Sequence, residues 1–225
     1  MEDRTRRVYC TLKKLIRETA AVSWLFSRRP GQDFTRKSKL SFEKTISILL
    51  AMEGRSVRNE LLEQFNCSES TPSAAAFVQC RSKLLPEAVE TVFHRFAESF
   101  GDERTYKGYR LLAVDGSDIH IPTDPNDTSS YFAPKDGSKA YNLLHLNAMY
   151  DLLNHTYTDA IIEGSKISNE QRALTRMVDR SPICAAILTA DRGYEGFNSL
   201  AHVQEKGWKF LFRIKDGMGG IVSGL

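Results

Sequence analysis

Leu111-Leu112-Ala113-Val114-Asp115-Gly116-Ser117 is the stretch whose reading decides the fold. A short apolar run ends on one carboxylate, and glycine follows at once. The same grammar returns in Ala185-Ala186-Ile187-Leu188-Thr189-Ala190-Asp191-Arg192-Gly193. Short apolar runs bounded by turn formers are the mark of strands buried on both faces. Each run is therefore expected to be a strand that delivers an aspartate to its end. If the two strands are neighbours, Asp115 and Asp191 lie side by side. Adjacent carboxylates repel and need a proton or a cation between them. Oxygen donors select hard ions, so the expected occupant is Mg²⁺ or Mn²⁺. Gly116 and Gly193 fit such a site as places where the backbone lets a bulky phosphate approach.

The segments between the two runs support a mixed sheet. Tyr141–Tyr150 and Thr156–Ile162 read as two strands joined by a tight turn at Asp151-Leu152-Leu153-Asn154. Ser168-Asn169-Glu170-Gln171 has the pattern of a capping box and opens a helix with Leu174, Met177 and Val178 inward. After the second aspartate, a helix over about 196–206 is closed by Gly207, and Trp208–Ile214 is a last strand. Asp118-Ile119-His120-Ile121-Pro122 alternates and reads as an extended arm. Residues 123–140 read as a long polar loop, disordered in the absence of a ligand. Strand, hairpin, helix, strand, helix, strand gives a mixed sheet covered by helices. That is the order of a ribonuclease-H-like α/β fold, in which the first and fourth strands are neighbours.

Residues 1–101 read differently, as a small all-helical domain. Helices are expected over 8–26, after Ser41, after Ser56, from Ser70-Thr71-Pro72 and from Pro86, with Gly101 as the stop. Residues 1–40 carry eleven Lys and Arg against four acids, and the remaining 185 residues are net acidic, although the whole chain is only +3. A basic arm ahead of an acidic body suggests a polyanionic partner. Helices 56–66 and 72–84 are joined by a short turn and resemble a helix-turn-helix. Gln79, Arg81 and Lys83 would then face phosphates or base edges, against the plainer reading of a helical bundle.

Several classes are excluded by spacing. No apolar run approaches the roughly 20 residues that span a bilayer, and a soluble, cytoplasmic protein is expected. Cys10, Cys67, Cys80 and Cys184 are scattered and form no C-x-x-C pair, which argues against zinc. A Walker loop and a Gly-x-Ser-x-Gly elbow are absent. Phosphatases that use Asp-x-Asp would need an aspartate where Ser117 stands.

Taken together, these segments are familiar. Leu112-Ala113-Val114-Asp115-Gly116-Ser117 resembles the first catalytic segment of bacterial insertion-sequence transposases of the DDE superfamily, in the group named for insertion sequence four. Thr189-Ala190-Asp191-Arg192-Gly193-Tyr194-Glu195, with Gly207-Trp208 and Phe210-Leu211-Phe212-Arg213-Ile214-Lys215 behind it, is similar to the second. Tyr141-Asn142-Leu143-Leu144-His145-Leu146, Ser41-Phe42-Glu43 and Ala76-Phe77-Val78-Gln79-Cys80-Arg81 also match the pattern, so the likeness runs from about 35 to 215. The resemblance implies an enzyme that binds terminal inverted repeats as a homodimer on double-stranded DNA. It would nick by Mg²⁺-assisted hydrolysis and join the 3′ end to target DNA. Asp115 and Asp191 would be catalytic metal ligands, with Arg192, Arg213 and Lys215 near phosphate.

One family feature is missing. The third ligand is a glutamate in a Tyr-x-x-Arg-x-x-x-Glu-x-x-x-x-x-x-Lys signature, and no tyrosine here has arginine at the third position after it. Glu195 and Asp216 are poor substitutes. The expectation is a catalytic domain over 102–225, incomplete after its fifth strand, with little strand-transfer activity of its own. Two alternatives stay open: a non-catalytic DNA-binding inhibitor, and a metal-dependent nuclease of the same fold.

Overall fold

The structure is a computed structural model that describes residues 2–100, 104–134, 137–215 and 221. Two compact units divide the chain, Met1–Ser99 and Phe100–Leu225.

The first unit holds helices α1 (Glu2–Ala21), α2 (Phe42–Ala51), α3 (Val57–Gln64), α4 (Ala74–Arg81) and α5 (Glu87–Glu98), with a 3-10 turn at Ser23–Phe26. Side-chain caps fix three of the starts. Ser41, Ser56 and Ser73 accept hydrogen bonds from the backbone N–H groups of Lys44, Asn59 and Ala76. Sequence reasoning placed the fourth start at Ser70-Thr71-Pro72. Ser73 supplies the capping oxygen instead, so Pro72 precedes the cap. Ile16, Phe42, Ile46, Leu84, Ala88 and Val92 make one core cluster, and Leu40, Ile48, Leu61 and Phe77 another. In α2, Phe42, Thr45, Ile46 and Ile48 are buried, whereas Leu50 is 44% exposed. Gly101, expected to stop α5, lies outside the described residues.

Glu60 is a buried acid in this unit. Its Oε1 accepts the backbone N–H groups of Glu53 and Arg55, each at 2.9 Å, and so closes the turn between α2 and α3. Glu60→Ala leaves both donors without that acceptor. The expected loss is about 1–3 kcal/mol, read by urea unfolding of the full chain. An unchanged midpoint would contradict the role assigned to Glu60.

The second unit is a six-stranded mixed sheet. Its strands are β1 (Arg110–Ile121), β2 (Tyr131–Phe132), β3 (Tyr141–Asp151), β4 (Thr156–Gly164), β5 (Ala186–Ala190) and β6 (Lys209–Phe212). The order is β2-β3-β1-β5-β6, with β4 also paired to β3. β1 is antiparallel to β3, β3 to β4, and β5 and β6 run parallel to β1. This is the ribonuclease-H-like arrangement. Helices α6 (Glu170–Arg180) and α7 (Phe197–Glu205) cover one face. Leu112, Val114, Met149, Ile161 and Leu188 from the sheet meet Leu174, Met177, Val178 and Val203 in a shared core.

Three expectations are corrected here. β1 does not end at Asp115: it runs on to Ile121, registered with β3 from Leu112↔Asp151 to Ile121↔Asn142. Residues 118–121 of the expected arm are part of β1, because β3 continues to offer a ladder after the apolar run stops. Residues 123–140 are not a featureless loop. They contain β2 and are tied down by Asn142, whose side chain bonds Asp124 N, Asp124 O and Ser130 Oγ at 2.8–3.1 Å. Phe132 also stacks on Tyr141 with ring centroids 5.0 Å apart. Finally, Asn169 rather than Ser168 caps α6, accepting from Arg172 N at 2.8 Å.

Candidate functional site

β1 and β5 are hydrogen-bonded neighbours, and their last registered pair is Val114↔Ala190. Asp115, within β1, and Asp191, just past the end of β5, are the next residues in the chain, and both are exposed. The sequence therefore folds so that two apolar strands, held by core packing, present two carboxylates at the same level of the sheet. Asp115 Oδ1 accepts its neighbour's N–H, from Gly116 at 2.9 Å. Asp191 precedes the 3-10 turn Arg192–Tyr194, and its Oδ1 lies 3.7 Å from Arg213 Nη1.

The space above the two glycines is filled. A Cβ on Gly116 would come within 2.9 Å of Glu170 Oε1 and 2.8 Å of His145 Nε2. A Cβ on Gly193 would run into Glu170 Oε2. The glycines thus admit the side chain of Glu170, at the first turn of α6, where sequence reasoning had them admit phosphate. That reasoning missed Glu170 because an acid in the first turn of a helix is explained by capping and the helix dipole alone.

Around Glu170 sits a polar cluster. His145 Nε2 lies 3.6 Å from Glu170 Oε1, and His145 Nδ1 is 2.8 Å from Asp118 Oδ1. The hydrogen bond to His145 holds Asp118 below the usual carboxylate range. Tyr194, 2% exposed, donates its hydroxyl to Asn147 Oδ1 at 2.9 Å. Burial first, then the negative charges of Glu170 and Asp115, push the Tyr194 hydroxyl upward. Two carboxylates on different elements thus act on one buried hydroxyl. Asn147 is fully buried, and its Nδ2 has no hydrogen-bond partner among the described residues.

The remaining candidates are placed as follows. Arg192 and Lys215 are exposed; Lys215 N donates to Glu195 Oε2 at 2.8 Å, and its Nζ lies 4.0 Å from Glu195 Oε1. Glu195 is thereby engaged, and its carbonyl accepts from Gln171 Nε2. Asp216 lies outside the described residues. On the first unit, Gln79 and Arg81 are exposed on α4, whereas Lys83 follows the helix end and sits half-buried 6.0 Å from the Phe34 ring. A groove of about 490 Å³ on that unit is lined by Tyr9, Lys13, Arg17, Glu43 and Lys44 among others. Arg17 there pairs with Glu43 at 3.3 Å.

The donor chemistry suits a hard divalent cation, since every candidate ligand is a carboxylate. Among the described residues, no three His, Cys, Asp or Glu side chains are close enough together to hold one. No described helix is long and apolar enough to cross a membrane.

Comparison with known proteins follows this geometry. No curated protein sequence matches the chain. Among solved structures it is similar to the Drosophila P element transposase strand transfer complex, at 11% identity and a TM-score of 0.40. The likeness covers 92% of this chain and 47% of that one, so the chain spans about half the length of that relative. The family model for the transposase DDE domain matches residues 106–220, just over half of the chain and the whole of the sheet from β1 to β6. The chain belongs to the DDE-domain transposase family.

Proposed function

We propose that this protein binds double-stranded DNA and that Asp115 and Asp191 jointly hold a divalent cation, Mg²⁺ or Mn²⁺, for phosphodiester cleavage and joining. The observation that supports the reading is the β1–β5 register, whose last pair, Val114↔Ala190, immediately precedes the two aspartates in the chain. Family membership adds to it, since DDE transposase domains are generally dependent on a divalent metal. When bound, such an ion activates a water or a 3′-hydroxyl and stabilises the leaving oxygen. The chain's own groups prepare the place. Asp115 and Asp191 supply negative oxygens where the β1–β5 pairing stops, and Arg213 is positioned by Asp191 where it can meet a phosphate. Arg192 and Lys215 offer further positive charge beside it.

The same proposal includes a bacterial insertion-sequence origin, action at terminal inverted repeats as a homodimer, and a cytoplasmic location. Residues 1–101 would be the DNA-binding and dimerisation domain, with Gln79, Arg81 and Lys83 toward the DNA. The basic arm and the exposed Gln79 and Arg81 support that assignment.

Duplex DNA binding tests it. Affinity measured by gel shift is expected to fall linearly with log salt. Arg81→Gln should reduce that slope by about 1, the value of one lost phosphate contact. An unchanged slope would remove α4 from the DNA interface, and binding indifferent to salt would contradict the DNA reading.

A further inference from the structure

We propose that the groove between α1 and α2 is a docking site for an acidic amphipathic segment of a partner protein. That segment sets an apolar side chain on the groove's floor and carboxylates on its rim. The groove lies wholly within the first unit and is independent of the cation reading.

Two helical stripes build it. Tyr9, Lys13 and Arg17 recur every four residues and share one face of α1, while Glu43, Ser47 and Leu50 share one face of α2. With Leu12, Ile16 and Ala51 these faces line about 490 Å³ of space. Ile16 is buried at the base, whereas Tyr9 is 56% and Leu50 44% exposed. Leu50 belongs to the apolar stripe of α2 by sequence, yet it lines the groove instead of a core. Large apolar side chains left in solvent around a concavity mark a place that accommodates a partner's side chain.

Charge names the partner. The lining carries three cations, Lys13, Arg17 and Lys44, against one acid, Glu43. Arg17 and Glu43 pair at 3.3 Å from one helix to the other and neutralise each other. Lys13 and Lys44 remain, and neither has an ion-pair partner among the described residues. Aromatic rings hold both in place. Lys13 Nζ lies 4.4 Å from the Tyr9 ring and Lys44 Nζ 5.2 Å from that of Phe65. Lys44 Nζ also donates to the Gln64 carbonyl at 3.5 Å, at the end of α3. Two ordered ammonium groups thus await carboxylates, and an acidic occupant pairs with them without first displacing another acid.

The floor separates protein from nucleic acid. A duplex meets side chains outside its grooves with phosphate and sugar, which leave Leu12, Ile16 and Leu50 unmatched. An acidic amphipathic helix matches both features, with its apolar anchor on the floor and its acids beside Lys13 and Lys44.

The test is fluorescence anisotropy of a labelled helix-forming peptide of glutamate and leucine, titrated with the full chain. A lysine–leucine peptide, a glutamate–glycine peptide and a labelled DNA duplex run beside it. The glutamate–leucine peptide is expected to bind more tightly than either other peptide. The double variant Lys13→Glu, Lys44→Glu should weaken it by about 10-fold or more, through like-charge repulsion. Leu50→Glu, at an exposed position, should do the same, with circular dichroism confirming the fold. Where the charge reversals fold poorly, Lys13→Gln with Lys44→Gln serves in their place. Equal binding of the glutamate–leucine and glutamate–glycine peptides would make the groove a plain basic surface and overturn the proposal. So would variants that bind as the parent does. If the double variant weakens duplex binding as much as peptide binding, the groove is a nucleic-acid face instead. If sedimentation shows a dimer that these variants dissociate, its occupant is a second copy of the chain; either result overturns the proposal.

Discussion

Replacing Asp151 by alanine is expected to destabilise the second unit by about 3–5 kcal/mol, the cost of breaking a buried ion pair and of removing the acceptor of three further N–H donors. Asp151 is fully buried and accepts Arg110 Nε at 2.7 Å. It also accepts the N–H groups of Leu153 and Asn154 at 3.0 and 2.9 Å, and Asn154 Nδ2 at 3.0 Å. Asn154 in turn bonds Arg104 through both N–H and carbonyl, at 2.9 and 3.0 Å. One carboxylate thus joins the start of β1, the β3–β4 turn and the segment that enters the sheet. Arg110 is 8% exposed, so removal of Asp151 takes a charged hydrogen-bond acceptor from a guanidinium in a poorly solvated place. Against a total of roughly 5–15 kcal/mol for a typical domain, that loss is large. Urea unfolding followed by far-ultraviolet circular dichroism reads it, and a change below about 1 kcal/mol would show that the network is worth no more than a surface pair. Because β1 carries Asp115, the same variant should loosen the site as well as the fold.

The second large effect concerns Asp115 and Asp191 themselves. Asp115→Asn and Asp191→Asn keep shape and hydrogen-bonding reach but remove a charge. Both positions are exposed, so neither substitution should disturb the core. Each is expected to lower divalent-cation affinity by about 100-fold, the upper end of what even outer-shell substitutions cost, and to abolish cation-dependent DNA cleavage. Normal folding with full cation affinity in both variants would contradict the shared site.

The sheet was legible because its strands are written in periods. Leu111–Val114 and Ala185–Ala190 are apolar runs that admit no other burial, and Tyr141–Tyr150 with Thr156–Ile162 bracket a turn rich in hydrogen-bonding side chains. Strand order then followed from general rules of connection, and it made Asp115 and Asp191 neighbours. What escaped was anything decided across elements. Gly116 looks like a strand terminator in one dimension, whereas β3 holds β1 together through it. Residues 123–140 look unstructured because their anchor, Asn142, belongs to another strand. Asn169 and Ser168 are equally good caps by composition, and only the backbone path chooses between them. Glu170 is the extreme case. Its sequence context explains it fully as a helix-start acid, and its proximity to both glycines exists only in three dimensions. The buried acids Glu60 and Asp151 were hidden for the same reason: Glu60 accepts backbone N–H groups, which no side-chain pattern records, and Asp151 joins the N–H groups of its own turn to Arg110 on another strand.

The shared site at the ends of the β1–β5 pairing is tested most directly by anomalous diffraction from crystals of the chain soaked in Mn²⁺. Joint ligation predicts an anomalous peak between the two strands, at roughly 2.1 Å from a carboxylate oxygen of Asp115 and of Asp191. A fully occupied Mn²⁺ elsewhere, with no peak at either aspartate, would contradict it.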